Sequence, residues 1–212
     1  FPFRSWPGLF SFGTKFDNHL SKAPAWSLVN GSRAASARDR SVKRLYSVKE
    51  FYWIAYDAFR TMRRTGRAKK AGDLGPKFIR RIMLAVTEVN DCQLCSYAHT
   101  RMALEDGMSE AEIKGMLEGT LEGVPEEQVA AMMFVQHYAE SRGRPSEGSW
   151  ARIVELYGTE TAQGILGAVR MITMGNAFGI AYGSFVNRFR GRADPRSSLG
   201  YESLMVLGSM FM

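Results

Sequence analysis

Two cysteines and a histidine lie close together near the middle of the chain, at Cys92, Cys95 and His99. Asn90 and Asp91 can accept hydrogen bonds from free backbone N–H groups. We therefore expect them to interrupt the helical pattern and to cap a helix that begins near Cys92. Residues three and four apart share one face of a helix, so the three side chains are predicted to lie within reach of one another. This spacing favours thiol redox chemistry, because a C-x-x-C pair closes a disulfide with little rearrangement.

The start of a helix also favours a reactive thiol. The partial positive charge there stabilises a thiolate, and by this argument Cys92 is the more reactive cysteine because it is nearest the helix start. His99 lies one turn after Cys95 and offers a specific route for removing the proton of that thiol. We therefore expect Cys95 to attack the substrate.

Three simpler interpretations compete with redox chemistry. Zinc usually takes four ligands, and one rigid helix rarely lets C-x2-C-x3-H converge on a single ion, so we expect no metal. The cysteines would be inert if they only filled space as small apolar residues. His99 would be structural if its ring only satisfied hydrogen bonds in the core, but its one-turn distance from Cys95 argues against this.

The elements that must position these residues are helices. From Ser47 onward, apolar residues recur at helical spacing between recognisable start and stop signals. The start signals are a capping box at Ser47–Glu50, Pro76 at a first helical position, Ser109 with Glu112, Pro125 and Ser146. The stop signals are Gly107 after the helix that carries the cysteines, Gly143 and Gly158. The longest predicted helix begins at Thr159 and reaches about Arg190.

That long helix is apolar for most of residues 164–186, close to the length that spans a membrane. Arg170 and Asn176 interrupt it, and a charge in the middle of a span is costly. Glycines at intervals of four residues let helices approach closely. We therefore expect a buried central or intersubunit helix and no membrane span. The Met-rich segment 199–212 is predicted to cover a neighbouring subunit or to wall a substrate pocket.

Composition places limits on the remaining function classes. The 212 residues are 45% apolar, enough to bury a core, and the formal net charge is +7. That charge raises nucleic acid or an anionic membrane as partners, but no nucleic-acid motif accompanies it, so we expect no nucleic-acid partner. Two cysteines in one C-x-x-C pair fit a reducing compartment, and we expect a cytoplasmic protein.

Three regions are predicted along the chain. Residues 1–46 lack a sustained period and form an irregular N-terminal arm, residues 47–198 form the helical domain, and residues 199–212 form the apolar C-terminal segment. The arm is rich in aromatic residues, so we expect it to pack on the body or on a neighbouring subunit. It is also rich in Arg and Ser and poor in acids, which leaves a targeting segment as an alternative.

The run E-V-N-D-C-Q-L-C-S-Y-A-H, followed by A-L-E-D-G-M-S-E and Glu112-Ile113, resembles the carboxymuconolactone decarboxylase and alkylhydroperoxidase D superfamily. The resemblance extends over about residues 76–190. It implies an all-α helical bundle, a homo-oligomer and thiol peroxidase activity without a separate cofactor. It also implies that peroxide oxidises Cys95 to a sulfenic acid, that Cys92 resolves it as a disulfide, and that His99 relays protons. The partners would then be a peroxide and a thiol reductant.

The chain departs from this family at one position. In the alkylhydroperoxidase members a glutamate twelve residues before the first cysteine completes the proton relay, and Arg80 stands there in this chain. Glu88 is the nearby carboxylate that could substitute for it. Alternatively, Glu88 is a surface carboxylate that pairs with an arginine at position 80, 81 or 101.

We therefore expect an all-α, oligomeric, thiol-dependent peroxidase or disulfide reductase, with Cys95, Cys92, His99 and Glu88 as its site residues. A non-redox enzyme of the carboxymuconolactone decarboxylase type is one alternative, although such an enzyme would not need the cysteines. A non-enzymatic binding or assembly protein is the other, and it would keep its function without them.

Overall fold

A computed structural model describes residues 45–210 of the chain. All regular secondary structure in this range is helical, which confirms the all-α prediction. The helices are α1 (Val48–Ala71), α2 (Pro76–Asn90), α3 (Gln93–Glu105), α4 (Glu110–Leu117), α5 (Glu126–Glu140), α6 (Glu147–Phe189) and α7 (Leu199–Met210). The irregular arm predicted for residues 1–46 lies outside the described residues, apart from Leu45 and Tyr46.

Several helix ends match the signals in the sequence. The Ser47 hydroxyl accepts from the Glu50 backbone N–H at 3.2 Å, and the Glu50 carboxylate accepts from the Ser47 N–H at 2.8 Å. Both bonds satisfy N–H groups that the first turn of α1 leaves free, so the predicted capping box is confirmed. Pro76 opens α2, and Ser109 caps α4 by accepting from the Glu112 N–H.

The turn between α2 and α3 differs from the expected one. Asp91 was expected to help cap the redox helix, but it instead closes α2 in the left-handed conformation, with φ 52° and ψ 44°. Asp adopts this conformation more readily than most residues because its short side chain bonds locally. Cys92 itself is therefore the N-cap of α3, and α2 and α3 are separate helices joined by a two-residue turn.

Helix α6 is the central element of the fold and packs against α1, α2, α3, α5 and α7. Gly158 interrupts it with φ 73° and ψ 161°, so the predicted stop at this residue is confirmed. By length and composition α6 is able to cross a membrane, but 67% of its most apolar window is buried inside the protein. Its apolar surface therefore serves as the core of a folded helical body.

Close approach between α1 and α6 depends on glycines. A Cβ added at Gly164 would lie 2.5 Å from the Ala68 Cβ, and one added at Gly167 would overlap the Thr65 hydroxyl oxygen. The same hydroxyl donates to the Gly164 carbonyl at 3.1 Å. Small residues at this crossing thus let the two helix backbones pack closely.

An ion pair fixes α7 to the end of α6. The Arg188 guanidinium donates to both carboxylate oxygens of Glu202, at 2.7 and 2.9 Å, and to the Ser197 carbonyl at 2.7 Å. The Glu202 carboxyl is fully covered, and the Ser197 hydroxyl also donates to it. Such a bidentate pair fixes orientation, so the predicted apolar segment folds back onto the body as a helix.

Candidate active site

The two cysteines form a disulfide at the N-terminal end of α3, with their Cα atoms 5.2 Å apart. Cys92 is the N-cap and Cys95 lies in the first turn. The Cys95 backbone N–H donates to the Cys92 sulfur at 3.3 Å. The structure therefore brings the two predicted sulfurs together where the helix N-terminus favours negative charge.

The two cysteines differ slightly in access to solvent. Both residues are buried, but Cys95 is 8% exposed and Cys92 is 1% exposed, so Cys95 is the more accessible of the two. Both belong to an apolar cluster at which α1, α6 and α7 meet. The buried members contributed by other parts of the chain are Tyr46, Phe51, Ala177, Ile180, Ala181 and Met205.

Gly179 of α6 faces the disulfide directly. A Cβ added there would lie 2.7 Å from the Cys95 sulfur and 2.8 Å from the Cys92 sulfur, closer than real Cβ contacts allow. The Gly175 carbonyl oxygen, one turn earlier, lies 3.8 Å from the Cys95 sulfur. The glycines of α6 are visible in the sequence, but their spacing does not identify which of them meets the cysteines.

His99 is buried on α3, one turn after Cys95. Its Nδ1 atom is buried and has no hydrogen-bond partner. Burial and, to a smaller degree, the positive charge of Arg80 lower the pKa of His99 to about 4. The imidazole is therefore neutral near pH 7, and one of its nitrogens can accept a proton.

Arg80 occupies the place at which the family resemblance predicts a glutamate. Its Nε donates to the Asp106 carboxylate at 2.6 Å, so the two form an ion pair between α2 and the end of α3. The charge that reaches His99 from α2 is therefore positive. A carboxylate at position 80 would favour the imidazolium form of His99, whereas Arg80 opposes it.

Glu88 lies on α2, four residues before Cys92, and its carboxylate faces Gly119 in the loop that follows α4. An added Cβ at Gly119 would be 3.2 Å from the Glu88 Oε1 atom. Because α2 ends at Asp91, Glu88 lies on the preceding helix. It does not continue the helical face that carries Cys92, Cys95 and His99.

The three arginines considered as partners of Glu88 each form an ion pair with another carboxylate. Arg80 pairs with Asp106, Arg81 with Glu112, and Arg101 with Glu105.

Buried polar side chains behind the cysteines connect α2 to the rest of the fold. The Tyr46 hydroxyl donates to the Asn90 carbonyl oxygen at 2.8 Å, and the Thr87 hydroxyl donates to the Asn176 carbonyl oxygen at 3.1 Å. Tyr201 of α7 in turn donates to the Tyr46 backbone carbonyl. These bonds fix the end of α2, next to the cysteines. Sequence analysis did not predict them because they join residues that are far apart in the chain.

His137, the other histidine on a predicted helix, has a structural role. Its Nε2 accepts from the Ser146 backbone N–H at 3.3 Å, at the N-terminal end of α6. The His137 ring thus gives a hydrogen-bond partner to the backbone N–H of the residue that caps α6. Within residues 45–210, no group of three or more His, Cys, Asp or Glu side chains is arranged to hold a metal ion.

Residues 55–136 match the model of the carboxymuconolactone decarboxylase family. This segment is similar to that family. The match covers less than half of the chain, but it includes Cys92, Cys95 and His99, so the family match and the cysteine pair concern the same helices. Neither the comparison with curated proteins nor that with solved structures found a match. Gly179 and α7 lie beyond the family segment.

Proposed function

We propose that this family member is a thiol-dependent hydroperoxidase or disulfide reductase of the alkylhydroperoxidase D type. The observation that carries the proposal is the C-x-x-C pair at a helix N-terminus, already within disulfide distance, whose second cysteine is the more exposed. A pair held in this geometry can accept and release two electrons without rearrangement of the helix.

The reaction has three steps. The Cys95 thiolate attacks the terminal oxygen of a hydroperoxide ROOH, forming a Cys95 sulfenic acid and the alcohol ROH. The Cys92 thiolate then attacks the Cys95 sulfur, and water leaves as the disulfide forms. Two thiols of an external reductant finally return the pair to the dithiol and are themselves oxidised to a disulfide, which balances the two electrons.

The backbone at the start of α3 supports this division of roles. The Cys95 N–H donates to the Cys92 sulfur, and a hydrogen bond to a thiolate favours that charged form. Cys92 is thus the better leaving group when a reductant attacks Cys95, and a larger fraction of it is in the thiolate form that resolves a sulfenic acid. Greater exposure directs both the peroxide and the reductant to Cys95.

His99 is the proton relay in this proposal. Its neutral ring, one turn after Cys95, can accept the thiol proton and later pass it to the leaving oxygen. Arg80 and Asp106 take the place of the single glutamate of other members, so the relay here works beside a net-neutral ion pair. Glu88 remains a second candidate for carrying the proton onward.

The proposal includes a homo-oligomer in a reducing, cytoplasmic setting. Tyr52, Trp53 and Tyr56 of α1 are each about half exposed, at 54%, 54% and 50%, and they lie on one face of the helix. Soluble proteins rarely expose a contiguous apolar patch without a partner for it. The reducing cytoplasm supplies the thiols that the third step consumes.

The test is a thiol count after a single turnover. Reduced protein is mixed with one equivalent of cumene hydroperoxide, and free thiols are titrated while the disulfide is located by mass spectrometry. We expect two thiols to be lost and one Cys92–Cys95 disulfide to form. Cys95→Ser should abolish hydroperoxide consumption, and His99→Gln and Glu88→Gln should slow it according to their share in the relay. The proposal fails if both single-cysteine variants consume hydroperoxide as the parent does.

A further inference from the structure

The contact between α6 and the disulfide has a consequence for the redox equilibrium. Both sulfurs lie against one backbone position, Gly179, and any side chain there would meet them at 2.7 and 2.8 Å. The neighbouring glycines of α6 differ from it, because added Cβ atoms at Gly175 and Gly183 meet nothing within 4 Å. The need for glycine at position 179 therefore arises from the sulfurs and not from helix packing in general.

The oxidised and reduced pairs need this space to different degrees. In the disulfide the S–S bond holds both sulfurs in one place, so neither can turn away from α6 without moving the other. In the dithiol each sulfur can rotate about its own Cα–Cβ bond to another staggered position. A side chain at position 179 therefore penalises the disulfide more than the dithiol.

We propose that Gly179 is a positioning residue that sets the reduction potential of the Cys92–Cys95 pair by leaving room for the disulfide against α6. This inference deepens the proposed function, since it assumes that the pair cycles between dithiol and disulfide. Gly179 lies outside the segment that carries the family match, so the long helix of this chain supplies the surface that stabilises the oxidised state.

Thiol–disulfide exchange with dithiothreitol measures the reduction potential of the Cys92–Cys95 pair, and dithiothreitol supplies the two electrons. One dithiothreitol thiolate attacks the Cys95 sulfur, the S–S bond breaks, and Cys92 leaves as a thiolate that takes up a proton. The second dithiothreitol thiol then displaces Cys95, giving the protein dithiol and cyclic oxidised dithiothreitol. The equilibrium constant thus compares the protein disulfide directly with a known couple.

The experiment measures that equilibrium for the parent, Gly179→Ala and Gly183→Ala in buffers of mixed reduced and oxidised dithiothreitol. We expect Gly179→Ala to shift the constant at least tenfold toward the dithiol, equivalent to about 30 mV for a two-electron couple. Gly183→Ala should match the parent, because its added methyl group meets open space. Equal constants for all three folded proteins would overturn the proposal.

A second pair of proteins covers the case in which Gly179→Ala does not fold. The same substitution is made in a Cys92→Ala/Cys95→Ala background, where the two sulfurs are absent. Folding in this background, judged by circular dichroism, supports the proposal because the conflict then requires the sulfurs. Failure in both backgrounds contradicts it.

This test does not depend on peroxide. If Gly179→Ala shifts the thiol equilibrium but the parent consumes no hydroperoxide, the role of Gly179 stands and the peroxidase proposal fails. If the parent consumes hydroperoxide and the variants share one potential, the peroxidase proposal stands and the role of Gly179 fails.

Discussion

At the scale of single residues, the site differs from the family pattern most at Arg80. A cation stands where a carboxylate is expected, and it lies close enough to help lower the pKa of His99. Burial is the larger cause of that shift, so the imidazole would be neutral at pH 7 even without Arg80. Arg80 therefore adjusts the pKa of His99, and its pairing with Asp106 limits the charge that His99 experiences.

Arg80→Glu should raise the pKa of His99 by about one unit or more, because an opposite charge then favours the imidazolium. The measurement is a titration of the His99 ring protons by nuclear magnetic resonance, with the pH profile of hydroperoxide consumption recorded in parallel. Arg101→Glu is the matched control, since Arg101 pairs with Glu105 on the exposed side of α3. An unchanged His99 titration in Arg80→Glu would contradict this account.

The lowered pKa of His99 also predicts acid sensitivity. The folded protein keeps the ring neutral down to about pH 4, whereas the unfolded chain binds a proton below about pH 6.5. Stability is therefore lost as the pH falls from about 6.5 to 4, by about 3 kcal/mol from this residue. His99→Gln should remove that part of the slope in urea unfolding followed against pH. A slope that is the same in the parent and His99→Gln would refute the prediction.

At the scale of the elements, two helices beyond α2 and α3 complete the candidate site. Helix α6 places Gly179 against the sulfurs, and α7 brings Met205 into the same buried cluster. The Met-rich C-terminal segment was expected to wall a pocket or cover a neighbour, and within the described residues its Met205 packs in the buried apolar cluster that contains both cysteines of its own chain. The position of α7 depends on the Arg188–Glu202 ion pair.

Glu202→Gln should loosen α7 and speed the reduction of the disulfide several-fold. The neutral amide cannot form the bidentate charged pair with Arg188, so α7 keeps Met205 in the apolar cluster around the cysteines for less of the time. The rate is followed by stopped-flow with excess dithiothreitol. Glu155→Gln, which removes an exposed carboxylate of the Arg152–Glu155 pair, should change nothing. Equal reduction rates in both variants would mean that α7 does not limit access.

The crossing of α1 and α6 predicts a stability effect that is separate from redox chemistry. Gly167→Ala forces a methyl group onto Thr65 and should lower the free energy of unfolding by about 1–3 kcal/mol. Gly183→Ala adds its methyl group to open space and should be neutral or gain up to about 1 kcal/mol from better helix propensity. Thermal and urea unfolding of both variants measure the difference. Similar values for the two would show that the crossing tolerates a methyl group.

At the scale of the whole molecule, the sequence predicted the features that depend on residues close together in the chain. Caps such as Ser47, the break at Gly158 and the approach of the two cysteines all follow from local spacing. The prediction was wrong at Asp91, which ends α2 and does not cap α3. An Asp suits either position, so the sequence alone does not distinguish them. Gly179 and the Thr87–Asn176 bond were missed because they connect residues about ninety positions apart. No local pattern specifies which faces of distant helices meet.

The aromatic face of α1 predicts self-association. If this face is buried between copies of the chain, Trp53→Glu together with Tyr56→Glu should shift the protein toward the mass of one chain, because charged side chains do not pack in an apolar interface. Light scattering after size exclusion, over a range of concentrations, measures the mass. Arg63→Glu, on the exposed basic part of α1, is the control. A parent that has the mass of a single chain at all concentrations would exclude this interface.

The central claim is that Cys95 reacts with peroxide and Cys92 resolves the product. The most direct measurement traps the sulfenic acid with dimedone after one equivalent of cumene hydroperoxide and locates the adduct by mass spectrometry. We expect an adduct on Cys95 in Cys92→Ser and none in Cys95→Ser. An adduct on Cys92 in Cys95→Ser, with none on Cys95 in Cys92→Ser, would contradict it.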